Sequence, residues 1–494
     1  MGRPSRASLV WAGGVAAIVA LAGFILRGEL IPVQDLNDGT MHWSMVRWAE
    51  GVLRQGRLPL DGWYPRLGLG FPQFHHYQSL PHIVTAIVSV IIGTGGTYPV
   101  MQWLLLCTLP LSAWLGARLF GLDRAAALWC AALILLPVSA TNYGNELGSY
   151  LWRGFGMYPQ LWGMWLMPIC LALTWRAVDQ GRRPVLAGAV LGLTALSHAI
   201  VGFLAALMVV VWIVLGRPLA ARALRAVVVT IATLCVTAWF LVPLALDSNG
   251  ATYGGFQRGT FWYDSYGARK VLGWLVTGGI FDRGRPPLLT SLVAVGLIVC
   301  VARCRRDRLA RALVASFVVS LVLFCGTPTF GWFLRFLPGS HNLFFPRFLV
   351  GVHLSGVLLA GVGGAWLVRS LRDVLQQRLP SRIAVVGVVV AALVAGVLLV
   401  PPWRERDKYA AEGADLIRTQ RQADLSVGGD VAQIADRVRQ LGDGRVYSGS
   451  SSTAKWWPHV GFVPLNAALV NDDVDTFGHQ LRVSSLSTAM EVQF

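Results

Sequence analysis

Long apolar spans alternate with short basic clusters over the first 400 residues of this chain. A span of about 20 residues, such as 9–26 or 98–119, is long enough as a helix to cross the ~30 Å hydrocarbon core of a bilayer. The chain of 494 residues is 55% hydrophobic and 14% charged, with a mean hydropathy of +0.56. This composition excludes a soluble globular domain and predicts an all-α polytopic membrane protein.

The net charge of +17 comes from 42 Lys and Arg against 25 Asp and Glu. The basic residues recur between apolar spans, as in RAVDQGRRP and RCRRDRLAR, which is the positive-inside pattern of cytoplasmic loops. We therefore expect membrane lipids as partners and no nucleic acid. The seven cysteines lie in or at the ends of apolar spans, so the sequence predicts neither a disulfide framework nor a cysteine metal site.

The charge pattern also predicts a topology. Arg3 and Arg6 place the N-terminus in the cytoplasm, ahead of an uncleaved first helix, and place the loop 27–97 outside. Residues 81–94 are too short to cross comfortably, so we expect a surface or re-entrant helix there. The uncharged stretch 184–216 predicts two short spans that meet at Ser197-His198 on the outer side. The result is about eleven spans of a multi-pass plasma-membrane protein: 9–26, 98–119, 125–140, 159–176, two within 184–216, 225–245, 287–303, 312–325, 346–368 and 383–400.

The sequence changes character after residue 401. RERDKYAAEGADLIRTQRQADL is charged with a helical pattern, and GRVYSGSS and HVGFVPLNAALV are typical of short strands. We predict a transmembrane domain over 1–401 and a small α/β extracytoplasmic domain over 402–494. The sequence stops at EVQF without a polar tail, so we expect the natural chain to continue.

The richest motifs follow the first span. The loop opens VQDLNDGTMHW, with Asp35, Asp38 and His42, and continues GWYPRLGLGFPQFHHYQSLPH. Carboxylates are costly in hydrocarbon but can be hydrated or paired at its surface, so these acids suit work on a polar substrate presented by a lipid.

The first span, the early carboxylate and the aromatic G-x-P-x-F motif together resemble the GT-C class of membrane glycosyltransferases. D-x-x-x-H (Asp38 to His42), RQGRLP and LPG-x-x-x-x-x-x-P-R-F are also similar to bacterial membrane proteins described by a 6-pyruvoyl-tetrahydropterin-synthase-related domain. Nothing in the chain resembles pterin chemistry. The likeness covers roughly residues 8 to 400.

The GT-C resemblance implies a polyprenyl-phosphate sugar donor, transfer on the outer face, and a first-loop acid that acts as general base or metal ligand. Asp38 matches that position, with Asp35 as its rival, and Glu146 in YGNELGSY matches a second acid from the next outer loop. The second loop lacks D-x-D and the first lacks an acid pair, so a divalent metal is not favoured.

The chemistry agrees with these assignments. A sugar hydroxyl that attacks an anomeric carbon needs a carboxylate base, and the phosphate leaving group needs cations to hold it. Arg347, Arg153 and His198 are the candidates for phosphate binding, and Phe344, Phe345 and Phe348 are expected to line the prenyl path.

Each candidate also has a structural interpretation. Asp38 can cap the helix GTMHWSMVRWAEGVL, and His42 on that helix can simply pack. Glu146 can be a solvated loop acid, Arg347 can snorkel to the interface, and His198 can be a polar break between two short spans. His75, His76 and His82 suggest zinc, but the carboxylates are distant in sequence, so zinc is not expected.

Two other functions stay open: a transporter or flippase of polyprenyl-linked lipid, and a non-catalytic GT-C-like scaffold. Transport favours charges deep inside several spans, whereas these acids cluster at one face, which favours an enzyme. The Ala-, Gly-, Arg- and Val-rich, Lys-poor usage indicates a GC-rich genome such as that of an actinobacterium. We therefore expect a cell-envelope glycan or lipid acceptor, with arabinose or mannose as natural donor sugars.

Overall fold

The fold is taken from a computed structural model of the chain. It describes residues 6–33, 36, 39–66, 70, 72–141, 143–146, 157–247, 259–340, 343–378, 380–442, 444–448, 458–477, 481–483 and 490–492. Within these ranges the α-helices are Arg6–Ile25, Gly39–Arg54, Gln73–His76, Leu80–Ile92, Thr94–Phe120, Arg124–Leu133, Tyr158–Gln180, Pro184–Ser197, Ala199–Val214, Leu219–Leu246, Phe261–Asp264, Ala268–Thr277, Leu288–Arg303, Arg308–Cys325, Thr327–Leu334, Leu349–Arg378, Ser381–Leu441 and Leu465–Asn471.

Six helical stretches in the described ranges are long and apolar enough to cross a membrane: Leu9–Leu30, Thr94–Phe120, Tyr158–Gln180, Leu219–Leu246, Arg308–Cys325 and Phe345–Arg378. Five shorter apolar helices accompany them: Leu80–Ile92, Arg124–Leu133, Pro184–Ser197, Ala199–Val214 and Leu288–Arg303. The chain is therefore a helical membrane protein. The number of eleven spans stays a prediction, because it depends on which of the shorter helices cross.

The predicted break at Ser197-His198 is confirmed, and it separates two short apolar helices. One helix ends at Ser197, the next begins at Ala199, and His198 between them has an extended backbone. The His198 backbone N–H still donates to the Thr194 carbonyl at 2.9 Å, and its Nδ1 accepts from the Val201 N–H at 3.3 Å. One residue thus ends the first helix and caps the second, so few backbone groups lose their partners.

The predicted span 125–140 is wrong in its extent. Its helix has only ten residues, Arg124–Leu133. Residues 138–140 instead pair with the segment after Ala268–Thr277: Val138 N–H donates to Phe281 O at 3.0 Å, and Ala140 N–H donates to Gly279 O at 3.1 Å. Pro137 has no N–H, so the chain cannot continue a helical ladder through that position without losing a bond.

Two ends of the bundle can be distinguished from the directions of the helices. The helix Ala199–Val214 starts at His198 and spans ~24 Å at 1.5 Å per residue. The helix Leu219–Leu246 returns and ends at Asp247, which is in contact with His75 of the first loop. We call the end with His198 and Asp247 the site end. The opposite end, where the loop 215–218 lies, is called the arginine end.

The C-terminal region begins inside one continuous helix. Ser381–Leu441 has 61 residues and contains Pro401 and Pro402, so the predicted domain boundary at 401/402 falls within a helix. Among the residues described after this helix there are three strand pairs: Val446–Tyr447 with Thr476–Phe477 (parallel), His459–Val460 with Val463–Pro464 and Leu481–Val483 with Met490–Val492 (both antiparallel). A separate α/β domain over 402–494 stays a prediction.

This C-terminal region lies against the first loop. Asp473 forms ion pairs of 2.9 Å with both Arg47 and Arg66, and Arg66 also pairs with Asp475 at 3.2 Å. The buried Asn471 side chain donates to Thr40 Oγ1 at 3.0 Å. The first loop and the residues around 471–475 therefore lie at the same end of the molecule.

Candidate functional site

The helix that follows the first span places His42 inside the protein. In Gly39–Arg54 the buried residues His42, Val46 and Ala49 recur at helical spacing, so one face of this helix is covered. His42 Nδ1 lies 3.1 Å from His82 Nε2, and both imidazoles are fully buried. One nitrogen must donate and the other accept, so the two rings share a single proton at this contact.

Tyrosine rings enclose the histidine pair. Tyr77 and Tyr158 lie 6.0 and 6.3 Å from His42, between ring centroids, and Tyr98 lies 4.5 Å from Tyr158. The hydroxyls of Tyr158 and Thr85 are 2.5 Å apart, and Thr85 donates to the Pro81 carbonyl at 2.6 Å. A hydroxyl has only one hydrogen, and that of Thr85 is donated to Pro81. The Tyr158 hydroxyl therefore donates to Thr85 Oγ1. The pair lies in an aromatic enclosure that holds its geometry.

Arg347 lies where the sequence predicts, directly after Pro346 and at the start of a long helix. The short 3-10 turn Phe345–Phe348 leads into Leu349–Arg378. Arg347 Nη1 donates to Gln160 Oε1 at 2.7 Å, and its guanidinium lies 5.5 Å from the Tyr143 ring centroid. These contacts hold the half-buried guanidinium inside the site end, so the snorkelling interpretation is not needed to explain its position.

Gln160 connects Arg347 to the loop that contains Tyr143 and Glu146. Its Nε2 donates to the Tyr143 carbonyl at 2.7 Å while its Oε1 accepts from Arg347. The amide therefore holds the loop and the arginine at the same time. Its orientation is fixed by this pattern, because the amide oxygen accepts and the amide nitrogen donates.

His198 belongs to the same region. It is 5% exposed and lies within electrostatic range of Arg347 and His42. The helix Tyr158–Gln180 approaches it closely at Gly163, where an added Cβ would lie 2.9 Å from His198 Cβ. The structure thus brings together three of the predicted residues, His42, His198 and Arg347.

Glu146 is a buried residue and not a solvated loop acid. It is 3% exposed, and its carboxylate accepts from Ser139 Oγ at 2.5 Å, from Thr141 Oγ1 at 3.1 Å and from the Gly144 N–H. Burial, with a smaller contribution from the Glu146 charge, raises the pKa of the Tyr266 phenol to about 12. Glu146 therefore organises its own loop at the site end.

His353 fixes this loop from the other side. Its Nδ1 accepts from the Asn145 N–H at 2.9 Å, and its Nε2 lies 2.8 Å from the Ile280 carbonyl. Both contacts are satisfied by the neutral tautomer with hydrogen on Nε2. A Cβ at Gly144 would lie 2.4 Å from His353 Nδ1, so only glycine fits between the loop and the helix.

His75 links the first loop to the end of Leu219–Leu246. Its Nε2 is 2.9 Å from Asp61, and its Nδ1 contacts Asp247. Donation to both carboxylates requires the doubly protonated ring. The carboxylates that seemed too distant in sequence for His75 are thus adjacent to it. Even so, the described residues contain no group of three or more His, Cys, Asp and Glu arranged to hold a metal ion.

Some of the predicted residues cannot be placed. Asp35, Asp38 and Arg153 lie outside the described residues.

The predicted prenyl path is wrong for Phe345 and Phe348. Both are at most 1% exposed and lie in the protein core, where the Phe348 ring is 6.2 Å from that of Phe203. Residues three apart in a 3-10 turn lie on the same face, so both rings point toward the core.

Three residues of the site were missed by the sequence analysis: Tyr158, Gln160 and His353. Gln160 and His353 carry a usable signal, because each is a polar residue within an otherwise apolar span. Tyr158 has no such signal, since tyrosine is common at the ends of spans.

The sequence matches the model of a family of unknown function, DUF6541, over residues 2–437. No match is found among curated proteins. The pterin-related description is not supported by the family match, which gives no activity.

Several solved structures share the fold. Arabinofuranosyltransferase AftD from Mycobacteria has a TM-score of 0.58 at 17% identity, covering 97% of this chain and 32% of that one. The apo oligosaccharyltransferase of Archaeoglobus fulgidus has a TM-score of 0.56 at 13% identity, covering 94% and 64%. ArnT from Cupriavidus metallidurans bound to undecaprenyl phosphate has a TM-score of 0.50 at 16% identity, covering 94% and 86%.

These neighbours are GT-C glycosyltransferases, so the likeness shows that this chain has the GT-C fold. The chain spans 53% to 64% of the length of the archaeal oligosaccharyltransferase chains that it matches. At these identities the likeness concerns the fold.

Proposed function

This chain belongs to the DUF6541 family, and we propose that it is a glycosyltransferase that moves a sugar from a polyprenyl-phosphate donor to a cell-envelope glycan or lipid. The transfer takes place at the site end, which we assign to the extracytoplasmic face. Support comes from the GT-C fold and from the convergence of Arg347, His198 and His42 at one end of the bundle.

The position of Arg347 is the observation that carries the proposal. Its guanidinium is half-buried at the start of an apolar helix, and one Nη donates to Gln160. A guanidinium has five N–H donors in a planar fork, so the remaining donors can hold two oxygens of a phosphate. His198 is proposed as a second donor through Nε2, because its Nδ1 accepts from the Val201 N–H.

Asp38 is proposed as the general base, with Asp35 as the alternative. A carboxylate that removes the proton of the attacking hydroxyl contributes about 10²–10⁴ in rate. Glu146 is proposed to act by positioning its loop, because its oxygens accept from Ser139 and Thr141. The phosphate leaves as an anion held by Arg347, so no general acid is needed on that side.

Sugar transfer from a purified polyprenyl-phosphate sugar to extracted envelope acceptors tests the proposal. Asp38→Asn keeps the shape and removes the proton acceptor, so turnover should fall about 10²-fold or more. Binding of the donor should persist. Asp430→Asn, in the exposed part of Ser381–Leu441, is the matched control and should transfer at the wild-type rate.

Loss of transfer in Asp35→Asn alone would move the base to that residue. Wild-type transfer in both variants, or no transfer of any polyprenyl-linked sugar by the wild type, would reject the enzyme and favour the scaffold or flippase.

A further inference from the structure

Arginines surround a cavity at the end of the bundle opposite the proposed transfer site. The cavity has a volume of about 290 Å³ and lies between the turn after Ala199–Val214, the start of Leu219–Leu246 and the loop before Arg308–Cys325. Two tryptophans, Trp175 and Trp212, contribute to its wall. Its arginines are Arg217, Arg222, Arg305, Arg306, Arg308 and Arg311.

Arg222 forms the inner wall of this arginine cavity. It is 2% exposed, donates through Nη1 to the Trp212 carbonyl at 2.8 Å, and pairs through Nη2 with Asp179. Its guanidinium lies 5.6 Å from the Trp175 ring centroid. A Cβ at Gly216 would lie 2.1 Å from Arg222 Cζ, so the turn can pass over the guanidinium only as glycine.

Arg311 fixes the two loops that form the rim. Its Nε donates to the Cys304 carbonyl at 3.0 Å and its Nη1 to the Leu215 carbonyl at 3.0 Å. Asp307 is occupied as the cap of Arg308–Cys325, where it accepts from the Leu309 N–H at 2.8 Å. The rim is therefore held together before any ligand binds.

The cavity has an excess of positive charge. Asp179 pairs with Arg222 and lies 3.5 Å from Arg308. The exposed Arg217, Arg305 and Arg306 have no acidic partner within the described part of the chain. The positive-inside rule explains arginines in these loops but not their convergence, from three segments of the chain, on one cavity with an aromatic wall.

We propose that this cavity binds a phosphate-bearing anion, either the headgroup of an acidic lipid or a free diphosphate. Planar guanidinium groups bind phosphate oxygens in pairs, and basic pockets between helices at a membrane surface suit lipid phosphates. The proposal is independent of the transfer chemistry, because the helix Ala199–Val214 separates the cavity from His198 by ~24 Å.

Two probes distinguish the lipid from the free ligand. Native mass spectrometry of the purified full chain in neutral detergent measures binding of cardiolipin against phosphatidylcholine, and isothermal titration calorimetry measures binding of inorganic pyrophosphate. We expect one of the two phosphate probes to bind the wild type, and Arg305→Gln/Arg306→Gln to weaken that binding at least fivefold. Arg217→Gln, on the other side of the cavity, should weaken it in the same direction.

The matched control is Arg372→Gln/Arg378→Gln, which removes the same charge from the exposed end of Leu349–Arg378. That helix begins at the site end, so its last residues lie on the same side of the bundle as the cavity. The control should bind within twofold of the wild type. Cardiolipin binding identifies a lipid site, and pyrophosphate binding alone identifies a free-ligand site. Failure of both probes, or equal weakening in both double variants, overturns the proposal.

Discussion

His42 and His82 are joined by a hydrogen bond of 3.1 Å, although 40 residues separate them in the chain and both are fully buried. The bond connects the first-loop helix Gly39–Arg54 to the short apolar helix Leu80–Ile92. A buried polar group without its partner costs about 1–3 kcal/mol. The histidine pair therefore stabilises the packing of these two helices.

A double-mutant cycle on the free energy of unfolding measures the interaction energy of His42 and His82. His42→Ala and His82→Ala should each destabilise the protein by about 1–3 kcal/mol, and the double variant should lose less than the sum by about 1 kcal/mol. As a control, His42→Ala combined with Ser291→Ala should be additive, since the Ser291 hydroxyl donates to the Pro287 carbonyl at the start of its own helix and not to the first loop. Additivity of the two histidine variants would show that they do not depend on each other.

A second prediction concerns the loop that contains Gly144 and Glu146. Gly144→Ala should destabilise the protein by about 1–3 kcal/mol, because the new Cβ would lie 2.4 Å from His353 Nδ1. Gly95→Ala, at a helical glycine with open space around it, should leave the melting temperature unchanged or raise it. Equal melting temperatures for Gly144→Ala and the wild type would show that the loop does not rest on His353.

The sequence predicts those parts of the site that depend on local chemistry. A single ionisable residue in a long uncharged stretch indicates a break, which is where His198 lies. Pro346 favours a helix start, and Arg347 lies in the short turn that leads into Leu349–Arg378. Both features depend on a few neighbouring residues, so one sequence is enough to find them.

The parts of the fold and of the site that the sequence does not predict depend on contacts between distant segments. Val138 and Ala140 pair with residues 279–281, and apolar periodicity does not show this pairing. The predicted span 125–140 is therefore longer than the helix, which ends at Leu133. The burial of Glu146 depends on a loop that folds back on itself and in which Asn145 contacts His353, 208 residues away in the chain, so no local pattern indicates it. Gln160 lies in an apolar span, where a polar residue is costly without a partner, but its partner Arg347 is 187 residues away in the chain.

Sidedness is predicted from the charge pattern and from contacts at the two ends. The charge pattern places the loop 27–97 outside. The region 402–494 should lie on the same side, because Asp473 pairs with Arg47 and Arg66 of that loop. Residues 177–183 and 304–311 should be cytoplasmic. In a background with Cys235 and Cys304 changed to alanine, a membrane-impermeant thiol reagent should label Asp430→Cys in intact cells but not Gln180→Cys. The reverse pattern would invert the topology.

The affinity for a polyprenyl monophosphate, measured on the purified protein in nanodiscs, tests the account most directly. Arg347→Ala should weaken binding at least tenfold, since a charged hydrogen bond contributes about 1.5–3 kcal/mol and tenfold corresponds to ~1.4 kcal/mol. Arg347→Lys should recover only part of the affinity, because an ammonium cannot reproduce the guanidinium fork. Asp38→Asn and the control Arg335→Ala, an exposed arginine over Phe336, should bind within twofold of the wild type. Unchanged affinity in both Arg347 variants would contradict the account and would place the donor phosphate elsewhere.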